Sequence, residues 1–142
     1  MQLVTKQFGG IDFEAADVLV FESGICEFVF DRQWLLVADQ ANEDLYWLQS
    51  ISNTQVALPV LAAEGLPFEY ELATKKEALK LDPRQLVVLL PIEESDGELT
   101  VALHLPIVVD SERGLGLQLR NERYQSAQRL TSARPTLLRQ SA

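Results

Sequence analysis

The sequence predicts a mostly β protein, folded as a small antiparallel β-barrel with one short helix. Apolar and polar residues alternate from Glu98 to Leu105, which is the pattern of a strand with one buried face. A turn cluster at residues 110–114 separates this run from a second alternating run at residues 115–119, as in a hairpin. About ten short runs with turns every 8–12 residues favour a barrel, whose closure removes open sheet edges.

The elements before this hairpin are predicted from shorter patterns. Residues 4–13 are expected to form a hairpin whose turn is Gly9-Gly10, because glycine supplies the positive φ of a tight turn. Pro59 indicates an edge or a bulge in the run that contains it. The remaining apolar runs, each of strand length, are residues 18–21, 34–38, 45–51, 56–61 and 86–90.

One short helix is predicted between the last two of these strands. Thr74 and Glu77 have the spacing of a capping box, so the helix should span residues 75–81 and end before Asp82-Pro83. We expect a single barrel domain over residues 1–125. A polar tail containing arginine should follow at residues 126–142.

The charge of the 142-residue chain is uneven, with a formal net value of −9. Residues 1–110 carry 19 acidic and six basic side chains, whereas residues 111–142 carry two acidic side chains and six arginines. An acidic body repels nucleic acid and attracts basic proteins. No stretch predicts a signal peptide or a membrane helix. We therefore expect a cytoplasmic, monomeric protein that binds other proteins and contacts neither nucleic acid nor a membrane.

The side chains that usually carry chemistry are sparse. His104 is the one histidine and Cys26 the one cysteine, so no disulfide can form within the chain. Glu27 follows Cys26 directly, and its charge should raise the pKa of the thiol and oppose its use as a nucleophile. Nucleophile-elbow, P-loop and dinucleotide-binding motifs are absent, as are zinc spacings. The sequence therefore predicts no catalytic residue, no cofactor and no metal.

The densest charged feature is the acidic segment before the alternating strand, which is expected to form a turn. Its carboxylates lack the spacing of a calcium-binding EF-hand loop, so it is either a solvated loop or a docking patch for a basic protein. Phe28 is either a core residue or a binding hot spot. The candidate partner-binding residues are Glu93, Glu94, Asp96, Glu98, Phe28, Glu43 and Asp44, and Glu22 and Glu27 are alternative acidic contacts.

Three collinear segments resemble the FliW family of flagellar assembly factors. Residues 21–28, FESGICEF, are similar to the family pattern F-x-x-G-[IL]-P-G-F, and residues 45–50, LYWLQS, to F-x-x-L-Q-S. Residues 105–110, LPIVVD, with the later Gly116, Gln118 and Tyr124, are similar to L-x-A-P-I-V-I-N…G-x-Q…Y. The resemblance covers about residues 1–130. The chain departs from it where Cys26-Glu27 replaces Pro-Gly, where His104-Leu105 precedes the proline, and where Asp110 replaces Asn.

The resemblance implies a non-enzymatic regulator with a small β-barrel fold. Family members bind and antagonise the RNA-binding translational repressor CsrA, and they bind newly made flagellin, which displaces the repressor. A flagellin chaperone without a repressor partner is one alternative. Another is a barrel that binds a small ligand or is an enzyme with an unrecognised site. An interior filled by apolar side chains would favour the regulator, whereas an open cavity with polar groups would favour the ligand-binding barrel.

Overall fold

Strands are the main regular elements of the structure, a computed structural model that describes residues 1–72, 86–95, 97–124 and 128–129. Within these residues the helices are two short 3₁₀ segments, Ala15–Asp17 and Ala63–Gly65. The strands are β1 (Gln2–Thr5), β2 (Gly9–Asp12), β3 (Leu19–Val20), β4 (Gln33–Ala38), β5 (Leu45–Ser50), β6 (Ala57–Ala62), β7 (Leu86–Ser95), β8 (Glu98–Val101), β9 (Ile107–Asp110), β10 (Leu115–Gln118) and β11 (Gln128–Arg129).

Seven of these strands close into a barrel. The order is β7-β6-β5-β4-β3-β10-β9, and β9 pairs back onto β7 to complete the ring. Every pairing in the ring is antiparallel except the seam between β10 and β3, which is parallel and has the single registered pair Leu115 with Val20. The predicted all-β class and small antiparallel barrel are confirmed, with this one parallel junction.

Strand β7 pairs with two different strands, β9 and β8, along one of its edges. Its first half pairs with β9, from Leu86 to Leu89, and its second half pairs with β8, from Ile92 to Ser95. Pro91 lies between the two ladders, where its missing N–H removes no ladder hydrogen bond. Its carbonyl oxygen accepts a hydrogen bond from Ala102 N at 2.9 Å. The proline therefore marks the point where β7 leaves the barrel and continues as a hairpin with β8.

Two apolar cores result from this division. The barrel interior is filled by buried side chains from six of its seven strands and from the loop after β3: Leu19, Phe21, Ile25, Trp34, Leu48, Val60, Leu89, Ile107 and Val109. The second core lies beside the barrel under the β7–β8 hairpin and contains Leu45, Leu61, Leu66, Leu90, Ile92, Leu99, Val101 and Leu103. Apolar side chains of the described residues therefore fill the barrel interior, which favours the regulator interpretation.

The N-terminal hairpin is a separate two-stranded sheet that lies over the barrel wall. Lys6 N donates to Thr54 O at 3.1 Å, and the ring of Phe8 packs edge-on against Trp47 with centroids 6.0 Å apart. The predicted turn at Gly9-Gly10 is wrong in position, because residues 6–8 form the turn and Gly9 pairs with Thr5. The Thr5 hydroxyl accepts from Phe8 N and donates to Gly9 O, each at 3.0 Å, which satisfies the turn locally.

Two further sequence predictions are corrected near β8. The alternating strand ends at Val101 instead of Leu105, because residues 103–105 turn back toward β9. Alternation with Val101 and Leu103 would place Ala102 on the polar face, but Ala102 is buried, while Leu105 is half-buried. The acidic turn also begins later than expected, because Glu93 and Glu94 belong to β7.

Some predictions fall partly or wholly outside the described residues. The helix expected at residues 75–81 lies outside them, and so does Asp96. The domain boundary at residue 125 remains a prediction; Gln128–Arg129 pairs with Val101 and Thr100 of β8.

Replacing Leu103 with Ala should destabilise the fold by about 2–5 kcal/mol, because its buried side chain fills part of the second core and its loss leaves a cavity. Thr100→Ala is the control, since Thr100 is only half-buried and faces Glu93 across the hairpin. Urea unfolding of both variants measures the difference. Equal losses would show that the second core does not depend on Leu103.

Candidate protein-binding surface

The strand directions assign every loop to one of two barrel ends. We call upper the end where β4 and β6 begin and where β7 and β10 leave the barrel; it carries the loops at residues 21–32, 51–56 and 102–106. The lower end carries the loops at residues 39–44 and 111–114. The predicted contact residues divide between these ends.

The aromatic loop, residues 24–31, is the largest feature of the upper end and is closed by its own hydrogen bonds. Ile25 and Phe28 exchange both backbone bonds, with N···O distances of 3.3 and 2.9 Å, and Asp31 N donates to Phe28 O at 3.3 Å. Gly24 has a φ of +72°, and a Cβ at this position would collide with the backbone of Phe28 and Val29. Glycine is therefore required for the loop to fold back on itself.

The side chain of Gln118 fastens the aromatic loop to the barrel. Its Oε1 accepts from Cys26 N at 2.7 Å, and its Nε2 donates to Leu105 O at 3.3 Å. Two residues earlier on the same face of β10, a Cβ on Gly116 would collide with the ring of Phe21, which fills that space in the core. Gln118 therefore holds the loop against the barrel, and Gly116 leaves room for the Phe21 ring.

Aromatic contacts hold the same loop from beneath. Phe28 is half-buried and packs edge-on against Trp34, with ring centroids 6.3 Å apart. The indole Nε1 of Trp34 donates to Asp31 O at 2.7 Å, and the hydroxyl of Ser52 donates to Asp31 Oδ1 at 2.8 Å. Phe28 therefore supports the loop from beneath, and its role as a partner contact stays a prediction.

Cys26 occupies an unusual backbone conformation in this loop. Its φ is +55°, and it is the one residue other than glycine with a positive φ among the described residues. The left-handed region is unfavourable for side chains with a Cβ, so the surrounding bonds must hold the residue there. Where the resembling family has Pro-Gly, this chain has Cys26-Glu27, and a proline at position 26 could not adopt this φ.

The predicted acidic contacts do not form one cluster. Glu93 faces Thr100 across the β7–β8 hairpin, whereas its neighbour Glu94 faces Leu99, so the two carboxylates leave opposite faces of the sheet. Glu98 lies two residues from Thr100 and so shares the face of Glu93. All three are exposed.

Glu43 and Asp44 lie at the lower end of the barrel, in the loop between β4 and β5. Glu43 is exposed, and Asp44 is half-buried with its carbonyl oxygen accepting from Ala62 N at 2.8 Å. They are therefore separated from Glu93 by the length of β6. A small partner that contacts Glu93 would not contact Glu43 and Asp44 at the same time.

Glu93 and the aromatic loop are neighbours. Burial is the main cause that raises the pKa of the Cys26 thiol, and the carboxylates of Glu93 and Glu27 raise the pKa further, against a hydrogen bond from Gln118 that lowers it. The expected influence of Glu27 is present, and Glu93 adds to it from a distant part of the sequence. The upper end therefore brings together two acidic segments that the sequence separates by more than sixty residues.

Titratable side chains that could perform chemistry are scattered among the described residues. His104 is half-buried, and its Nδ1 atom has no hydrogen-bond partner within the described part of the chain. Across the described ranges, no three acidic, histidine or cysteine side chains are placed to hold a metal ion. A groove of about 530 Å³ lies between the N-terminal segment and the barrel, and its lining is largely apolar, including Met1, Phe13 and Val20.

In the described parts of the chain, no helix is both long and apolar enough to cross a bilayer.

Comparison with known proteins agrees with this architecture and with the sequence motifs. The model of the FliW protein family matches residues 2–130, which is most of the chain. The chain belongs to the FliW family. A flagellar assembly factor FliW of Caldanaerobacter subterraneus subsp. tengcongensis is 32% identical over 133 residues, covering 87% of this chain and 89% of the relative. One of Lachnospira eligens is 30% identical over 129 residues, covering 84% of this chain and 85% of the relative.

A solved structure shares the fold. The crystal structure of a flagellar assembly factor FliW superposes with a TM-score of 0.77 at 20% sequence identity, over 92% of this chain and 95% of that one. The closed barrel with its attached hairpin is thus the family fold.

Sequence reasoning missed the most exposed aromatic side chain of the upper end. Phe30 is 89% exposed and Val29 is 47% exposed, both in the aromatic loop. The available signal was the apolar run Phe28-Val29-Phe30 enclosed by Glu27 and Asp31, which has too many large apolar residues for a solvated turn.

Glu93→Gln should accelerate the reaction of Cys26 with iodoacetamide, because removing this carboxylate lowers the thiol pKa and increases the thiolate fraction at a fixed pH. Glu94→Gln is the matched control and should leave the rate unchanged, since Glu94 lies on the other face of β7. Rates measured at pH 8 on the folded protein make the comparison. The same rate for wild type and Glu93→Gln would show that Glu93 does not influence the Cys26 thiol.

Proposed function

We propose that this protein is a non-enzymatic flagellar assembly factor that binds flagellin and a CsrA-type RNA-binding repressor. Binding antagonises the repressor, so that flagellin synthesis follows assembly. Family membership is the observation that carries this proposal. The relatives that match the chain are themselves called flagellar assembly factors.

The packing of the barrel supports a protein-binding role. A ligand-binding barrel needs an enclosed cavity with a few convergent polar groups. Here the interior is occupied by Trp34, Phe21 and aliphatic side chains with almost no exposed area. This packing favours a function that rests on the outer surface and the loops.

The charge of the upper end supports a basic partner. Glu27 and Glu93 both act on the Cys26 thiol there, and Glu22 is exposed nearby in the chain. An RNA-binding protein carries basic surface to neutralise phosphates, so it complements this end of the barrel. Exposed charges of this kind act chiefly on the association rate and its salt dependence.

The direct test uses purified flagellin and the purified repressor from the same host. Titration calorimetry should show that each binds the protein, and adding flagellin to the complex should release the repressor. Binding of flagellin alone would identify a chaperone without a repressor partner. Failure of both to bind would overturn the proposed function.

Charge reversal should locate the repressor contact. Glu93→Lys should slow repressor association several-fold at low salt and less at high salt, because screening shortens the reach of the charge to about 8 Å at physiological ionic strength. Glu43→Lys makes the same change in net charge at the lower end and should have little effect. Glu94→Lys reports the other face of the hairpin. Surface plasmon resonance at two salt concentrations measures the rates, and a larger effect of Glu43→Lys would move the contact to the lower end.

A further inference from the structure

The most exposed large apolar side chain in the described residues projects from the upper end of the barrel. Phe30 is 89% exposed, and its neighbour Val29 is 47% exposed. Exposed aromatic residues are costly in water and are enriched among the residues that dominate binding energy at protein interfaces. Val29 and Phe30 therefore need an explanation beyond the stability of the fold, to which so exposed a ring contributes little.

The loop that carries Phe30 is held in one shape. The two backbone bonds between Ile25 and Phe28 close it, Gln118 fixes Cys26, and Trp34 holds Asp31. The positive φ of Cys26 shows that these contacts impose a conformation that the residue would not choose alone. A preorganised loop loses little conformational entropy when it binds, so an aromatic residue on it can act as an efficient anchor.

The charges around this anchor determine what it can dock into. Glu22 and Glu27 are exposed on the same segment, Asp31 closes the loop, and Glu93 lies close to Cys26. Arg32 is the one basic side chain between residues 21 and 33. Nucleic acid and anionic lipid are repelled by such a surface, and a second copy of this chain, with its net charge of −9, is repelled as well.

We propose that Phe30, supported by Val29, is the apolar anchor through which the upper end docks into a hydrophobic pocket rimmed by basic side chains on the RNA-binding repressor. The inference rests on the proposed function and assigns one of its two partners to this loop. The apolar side chain supplies affinity and slows dissociation, whereas Glu27 and Glu93 steer the approach. The two contributions can therefore be separated experimentally.

The test is Phe30→Ala in the full-length protein, with the purified repressor and purified flagellin as probes. Affinity for the repressor should fall by about tenfold or more, as for a hot-spot aromatic residue, and the loss should be in the dissociation rate. The salt dependence of association should stay that of wild type, because no charge is removed. Val4→Ala, in the separate N-terminal hairpin, removes another largely exposed apolar side chain and should change repressor binding less than twofold.

Each outcome decides a different question. Unfolding midpoints in urea should be the same for wild type and Phe30→Ala, because the side chain is exposed. Repressor affinity of Phe30→Ala within twofold of wild type would overturn the anchor while leaving the proposed function intact. An equal or greater loss of flagellin binding would overturn the choice of partner. Wild-type protein that binds no repressor would overturn the proposed function and this assignment together.

Discussion

The structure depends on the division of β7 between two partners. A strand in a closed barrel normally pairs once on each side, but β7 pairs with β6 on one side and with both β9 and β8 on the other. Pro91 stands at the division, between the residues of β7 that pair with β9 and those that pair with β8. The first half of β7 closes the barrel. The second half carries Glu93 to the upper end and covers the second core. The same strand therefore closes the barrel and contributes to the candidate binding surface.

The motif residues of the family are explained by packing around one loop. Gly116 leaves room for the ring of Phe21, Gly24 lets the chain fold back against Phe28, and Gln118 ties Cys26 to the barrel. Replacing any of these residues would disturb the loop or the Phe21 ring beneath it. The motif is thus a set of constraints on the shape of this loop.

The sequence predicts the elements that depend on local residue patterns. It does not predict which strands pair when the barrel closes. The turn that ends at Gly114 and the alternation of β10 could be predicted from the sequence, but the partner strand could not: the pattern paired residues 115–119 with residues 98–105, whereas β10 pairs with β9 and β8 pairs with β7. The end of β8 at Val101 and the extension of β7 through Glu93 depend on which strands become neighbours. For the same reason, the approach of Glu93 to the aromatic loop could not be predicted from sequence distance. Phe30 was not predicted as a partner contact, because only its burial in the fold distinguishes an exposed aromatic residue from one in the core.

The seam between β3 and β10 has a consequence for how the chain folds. Its one registered pair joins Val20 to Leu115, so the ring cannot close until almost the whole domain has been synthesised. Contacts between residues so far apart in sequence form late, because the entropy of closing the intervening loop must first be offset by other contacts. The β4–β5–β6 meander, built from neighbouring segments, can form earlier. The hydrogen bond from Cys26 N to Gln118 can form only after β10 has joined the barrel. The aromatic loop should therefore reach its final conformation late in folding.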